Sequence, residues 1–177
     1  MNFFEFYDIP VSFNPDENLL KKKFYGFSKE YHPDFHVNET EEKQAEILEL
    51  STINNNAYKI LTNPAKRVEY VLDLYGLMQE GEKYQLPQSF LMEMMEINEV
   101  LMEIEFDEDP DRLNEIEDQV LVLEKELINE LSHFTDGFES LDEEKRKNNL
   151  LKIKDNYFRQ KYLLRIKEKL HTFASRN

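Results

Sequence analysis

The chain contains no cysteine, which excludes disulfides, thiolate metal sites and a cysteine nucleophile. Glycine is scarce, with 4 residues in 177, which argues against a sandwich or barrel built on many turns. No apolar run approaches the roughly 18 residues needed to cross a bilayer. The opening Met1-Asn2-Phe3-Phe4-Glu5 lacks the basic start and apolar core of a secretory signal, and the Arg- and Ser-rich character of a transit peptide. Cations are also in deficit: 22 Lys and Arg against 37 Asp and Glu give a formal charge of −15, which disfavours nucleic acid and anionic membrane as partners. The expectation is a cytoplasmic protein without a cofactor.

What is present suits a soluble helical protein with modest cores, since 40% of residues are apolar and 33% charged. The length fits one ordinary domain or two small ones. Charge is unevenly spread. Residues 88–144 carry 20 acidic and 2 basic side chains, whereas residues 145–177 carry 2 acidic and 11 basic ones. An acidic helix pair neutralised by a basic third helix in one bundle accounts for this, with little stability gained where the pairs are exposed.

Residues 2–9 form a short aromatic stretch predicted to make one or two helical turns, broken by Pro10 and by Asn14-Pro15. Asp16 opens a helix to about Tyr31, in which Leu20, Phe24, Phe27 and Tyr31 recur at the period of a buried stripe. Lys21, Lys22, Tyr25 and Lys29 fall on its other side. Pro33 ends it, because the residue before a proline is pushed out of helical geometry. A polar link, residues 36–40, leads into a helix over 41–61 whose apolar members are Ala45, Leu48, Ile53, Ala57, Tyr58 and Ile60. Asn63-Pro64 reads as the cap and first residue of another helix, reaching Leu74 and stopped by Gly76. Residues 76–87, with Gly81 and Pro87, read as a linker. Beyond them, helices are expected over 88–104, 111–134 and 142–173, joined by short breaks and therefore forming an antiparallel bundle. No strand alternation or internal repeat occurs. The expected fold is all-α, with one domain over 1–75 and a three-helix bundle over 88–177.

The tripeptide His32-Pro33-Asp34 is a weak signal alone, and its plain reading is a Pro-terminated helix with an Asp capping the next turn. Its setting is more specific. It follows a lysine-rich helix face and precedes Ile53-Asn54-Asn55-Asn56-Ala57-Tyr58-Lys59-Ile60-Leu61 and Asn63-Pro64-Ala65-Lys66-Arg67-Val68-Glu69-Tyr70. Residues 1–75 thus resemble the J-domain, in which the tripeptide is followed by an Ile-Asn-x-Ala-Tyr-x-x-Leu helix and an Arg-x-x-Tyr segment. The run from Arg67 to Leu72 is similar to the Arg-x-Glu-Tyr-x-Leu ending of the HscB subfamily, and Leu86-Pro87-Gln88-Ser89-Phe90-Leu91-Met92-Glu93 to its Pro-x-x-Phe-Leu-Met-Glu helix start. With the three-helix bundle, the resemblance covers nearly the whole chain. It departs at Phe35, where many J-domains carry Lys, and in lacking the zinc-binding cysteine module of some eukaryotic relatives.

The resemblance implies a co-chaperone, a monomer when free, that stimulates the ATPase of a DnaK/HscA-class chaperone and brings it the iron–sulfur scaffold protein IscU. It assigns His32, Pro33 and Asp34 to the chaperone contact, with Asp34 meeting an arginine and Lys21, Lys22, Tyr25 and Lys29 beside it. An ordinary solvated helix face is the plain alternative for those lysines. In the helix starting at Gln88, the stripe Phe90, Met94, Ile97, Leu101 and Ile104 suffices for a core, leaving Leu91, Met92 and Met95 in excess beside Glu96, Glu99 and Glu103. The resemblance places client binding there and, through a loose alignment, on Phe158; packing against the other two helices is the alternative. A generic J-protein with a different client and a structural adaptor with an inactive J-domain are the competing readings. For an enzyme, no Gly-rich phosphate loop or Ser/His/Asp signature stands out. His32 and His36 are spaced by four, but Pro33 interrupts the helix a metal pair would need, and His133 and His171 have no evident partners.

Overall fold

A computed structural model describes residues 1–107 and 109–175. Among these the chain is all-α, with seven α-helices and no strand. It divides into two compact units. One comprises Met1–Met78 with the short Gly137–Ser140 turn, and the other comprises residues 79–136 with the chain from Leu141 onward.

In the first unit, α1 (Phe3–Phe6) is started by a reciprocal cap between Asn2 and Glu5. Asp16 caps α2 (Glu17–Glu30) by accepting from the Leu19 amide, and Thr40 caps α3 (Glu41–Leu61) by accepting from that of Lys43. Asn63 caps α4 (Pro64–Leu74), and the chain leaves that helix through Gly76 at φ +70°, a conformation glycine adopts without strain. Phe4, Tyr7, Leu20, Ala57, Leu61, Val71 and Leu72 are buried in this unit.

Only some of the apolar residues of α3 face inward. Ala57 is buried and Ile53, Tyr58 and Ile60 partly so, but Ala45 and Leu48 are exposed. The inward line runs instead through Ile47, Asn54 and Leu61, spaced by seven, because two helical turns return the chain to the same side. Asn54, buried in this line, accepts from the Tyr7 hydroxyl at 2.9 Å and donates to the Phe24 carbonyl at 3.1 Å and the Ser28 hydroxyl at 3.0 Å. It thereby fixes α3 against α2. Two residues of the motif following the tripeptide also hold the fold. Arg67 donates to the Phe13 and Leu61 carbonyls at 2.7 and 2.6 Å, and the Tyr70 hydroxyl accepts the Phe3 amide at 2.9 Å.

The second unit contains α5 (Gln88–Phe106), α6 (Pro110–Thr135) and α7 (Glu143–Ala174). Phe90, Met94, Ile97, Leu101 and Ile104 of α5 are all buried, as the spacing requires. They meet Leu113, Ile116, Val120 and Leu127 of α6 and Leu163, Ile166 and Leu170 of α7 in one core. The charge asymmetry becomes pairs between helices, Lys167 with Glu124 at 2.5 Å and Arg159 with Glu130, while Arg112 pairs with Glu103 at 2.6 Å within the acidic segment. Buried Asn156 donates to the Leu127 carbonyl and to Glu130, both at 2.8 Å.

Residues 77–87 carry no helix. Their later part is nevertheless fastened to α7. Lys154 pairs with Glu82 at 2.6 Å, the Tyr84 hydroxyl donates to Asp155 at 3.0 Å, and the Tyr84 ring lies flat on Phe158 with centroids 4.5 Å apart.

Candidate functional site

The tripeptide forms a single 3-10 turn, Pro33–Phe35, between α2 and α3. α2 ends at Tyr31, whose amide donates to the Phe27 carbonyl at 2.8 Å and whose ring stacks on Phe27. Burial raises the Tyr31 phenol above its usual range. His32 is extended (φ −74°, ψ 122°), as a residue before proline must be. Its Nδ1 accepts the Asp34 amide at 3.3 Å, which requires the other ring nitrogen to carry the proton in the neutral imidazole. The turn closes through the Phe35 amide to the His32 carbonyl at 3.0 Å and the His36 amide to the Pro33 carbonyl at 2.9 Å. The His36 ring contacts the Glu30 carbonyl at 2.8 Å, while the Gln44 side chain donates to the Val37 and Glu39 carbonyls. The loop is therefore tied at both ends and leaves Asp34 outward, with its side chain 84% exposed.

Lys21, Lys22, Tyr25 and Lys29 all lie exposed on α2, away from the Leu20 stripe. The tip thus combines an outward carboxylate on a braced turn with a basic helix surface leading to it.

On α5, Met92 is 57% and Met95 60% exposed, with Leu91 at the margin of the same surface. Glu96, Glu99 and Glu103 are exposed, and Glu103 already holds Arg112. Two residues absent from the sequence reading extend this surface. Met102 and Phe106 are also exposed and follow Met95 by seven and eleven positions, a repeat of helical spacing that was the available signal. Phe158 is half-buried beneath Tyr84. Tyr84 was not singled out in sequence, because a loop has no periodicity to mark it.

His32 and His36 are both engaged in the loop. Among the described residues no group of three or more His, Cys, Asp or Glu is arranged to hold a metal, and no helix is long and apolar enough to cross a membrane.

Comparison with known proteins matches both halves. Residues 3–70 fit the family model of the DnaJ domain, and residues 86–171 that of the HSCB C-terminal oligomerisation domain. The fold and the loop thus define a J-domain chain with a helical C-terminal domain. Among curated relatives, a Vibrio cholerae "Co-chaperone protein HscB homolog" is 34% identical over 112 residues, 63% of this chain and 66% of the relative. Its Vibrio vulnificus counterpart is 37% identical over 105 residues, 59% and 61% respectively, so each match spans just under two thirds of the relative. The crystal structure of the human co-chaperone protein HscB superposes with a TM-score of 0.73 at 29% identity, over 98% of this chain and 82% of that one. Chaperone HscB from Vibrio cholerae shares the fold, with a TM-score of 0.71 at 24% identity over 99% of both chains. The chain belongs to the HscB family of J-domain co-chaperones.

Proposed function

We propose that this protein stimulates the ATPase of a DnaK/HscA-class chaperone through His32-Pro33-Asp34 and delivers to it an IscU-type iron–sulfur scaffold protein held on α5. Residues 1–75 act as the J-domain and residues 88–177 as the client-binding bundle, in the cytoplasm and as a monomer when free. The carrying observation is the Asp34 carboxylate, exposed on a turn braced from both sides. A carboxylate already in place loses little freedom on binding, and a charge-assisted contact to arginine contributes on the order of 1.5–3 kcal/mol, a roughly tenfold or larger effect. His32 and Pro33 hold that geometry. Lys21, Lys22, Tyr25 and Lys29 steer and complete the contact with an acidic chaperone surface.

The hydrolysis itself takes place in the chaperone. Stimulation requires only that the loop bind one chaperone conformation better than another, because differential affinity is what shifts a population. On the client side, Leu91, Met92 and Met95 offer adaptable apolar area rimmed by Glu96, Glu99 and Glu103. Phe158 on α7 joins this site as an aromatic contact through the part of its ring that Tyr84 leaves open.

The test is a chaperone ATPase assay with the scaffold present. Asp34→Asn keeps the shape and removes the charge, and is expected to abolish stimulation while the protein still binds the scaffold. Equal rates with wild type and variant would sink the co-chaperone reading. Scaffold binding that fails for the wild-type protein would leave the chaperone contact standing and reject the client.

A further inference from the structure

The position after the tripeptide has no folding role that explains it. Phe35 is 69% exposed, on the 3-10 turn between α2 and α3 and directly beside Asp34. A large aromatic side chain facing water in a polar loop is the kind of exposure that marks an interaction surface. Its position is also fixed. Its amide is held by the His32 carbonyl at 3.0 Å, its ring leans on His32 with centroids 5.5 Å apart, and the next residue is tied back to Glu30. An aromatic side chain on a braced backbone, next to an outward charge, has the makeup of an interface hot spot.

We propose that Phe35 is an apolar anchor that, together with Asp34, sets which chaperone the loop docks on. This rests on the chaperone-contact reading above. The partner surface it fits offers a guanidinium to the Asp34 carboxylate and, one residue away, an apolar hollow that takes the ring. A chaperone with the guanidinium but a charged or filled surface in place of the hollow is discriminated against, since its polar groups would be covered by the ring without hydrogen bonds. Asp34 then supplies the coupling to ATP hydrolysis, and Phe35 supplies affinity and choice of partner.

Stimulated ATPase rates of the DnaK-class chaperone from the same organism, titrated with wild type, Phe35→Ala, Phe35→Leu and Asp34→Asn, test this. Burial of a phenylalanine ring predicts that Phe35→Ala raises the half-stimulating concentration about tenfold or more, with the plateau rate kept. Phe35→Leu, which still fills an apolar hollow, stays within about threefold of wild type. The side chain is exposed, so thermal melts of both variants overlay that of wild type. If Phe35→Ala titrates like wild type while Asp34→Asn loses stimulation, the anchor is rejected and the Asp34 contact stands. A Phe35→Ala curve with a lowered plateau and an unmoved midpoint also rejects it, because the ring would then act only by holding His32. Should Asp34→Asn match wild type, the docking loop itself falls, and the anchor with it.

Discussion

Asn54 occupies a position where helical geometry would favour leucine, and its bonds to Tyr7, Phe24 and Ser28 explain why an amide stands there. Phe24 and Ser28 lie one turn apart on α2, so the residue specifies the alignment of the hairpin. Asn54→Ala is expected to destabilise the protein by about 1–3 kcal/mol, because it removes three side-chain hydrogen bonds that join α3 to Tyr7 and α2. Urea denaturation of the two proteins checks this, and a difference below about 0.5 kcal/mol would reject the role. This role was only half legible in the sequence. Three asparagines stand together at 54–56, and apolar periodicity does not say which of them turns inward. Arg67 and Tyr70 were legible as a motif but not as braces of the N-terminal stretch, since their partners Phe13 and Phe3 are distant in sequence.

At the scale of the element, helix ends were read to within one or two residues because local chemistry sets them: Asp16, Thr40, Asn63 and Asp142 all cap as side chains of their type do. Inward faces were legible where apolar residues are confined to one side, as on α5. On α3 the apolar residues spread around the helix, so spacing singles out no face. On α5 the two faces predict opposite behaviour for neighbouring methionines. Met94→Ala, at a fully buried site, is expected to cost about 2–5 kcal/mol. Leu91→Ala with Met95→Ala is expected to change stability by only about 0.5 kcal/mol per site while weakening capture of an IscU-type scaffold in a pull-down. Unchanged capture by the double variant would remove the client face from α5. Tyr84 shows what the sequence could not convey about a connecting segment. Composition marks residues 76–87 as a loop, but only side-chain geometry reveals the ring laid over Phe158 and the carboxylate of Glu82 against Lys154.

For the whole molecule, the all-α class and the opposed charges of the last three helices followed directly from composition and spacing. The chain passes between the two compact units at Met78–Gln79 and again on either side of Gly137–Ser140, a turn that lies within the range expected for the bundle but groups with the first unit. Sulfur is distributed just as unevenly. The chain has six methionines and no cysteine, and Met92, Met95 and Met102 are exposed on one helix while Met94 beside them is buried. A peroxide pulse would therefore reach the thioethers of the proposed client face and spare that of the core. Conversion to sulfoxides makes that face polar without opening a cavity. The expected outcome is lost scaffold capture with an unchanged circular dichroism spectrum, reversed by methionine sulfoxide reductase. Capture that survives after mass spectrometry shows these three residues oxidised would contradict it. Three exposed thioethers on α5 thus make the proposed client face the helical surface of this cysteine-free protein that an oxidant would alter first.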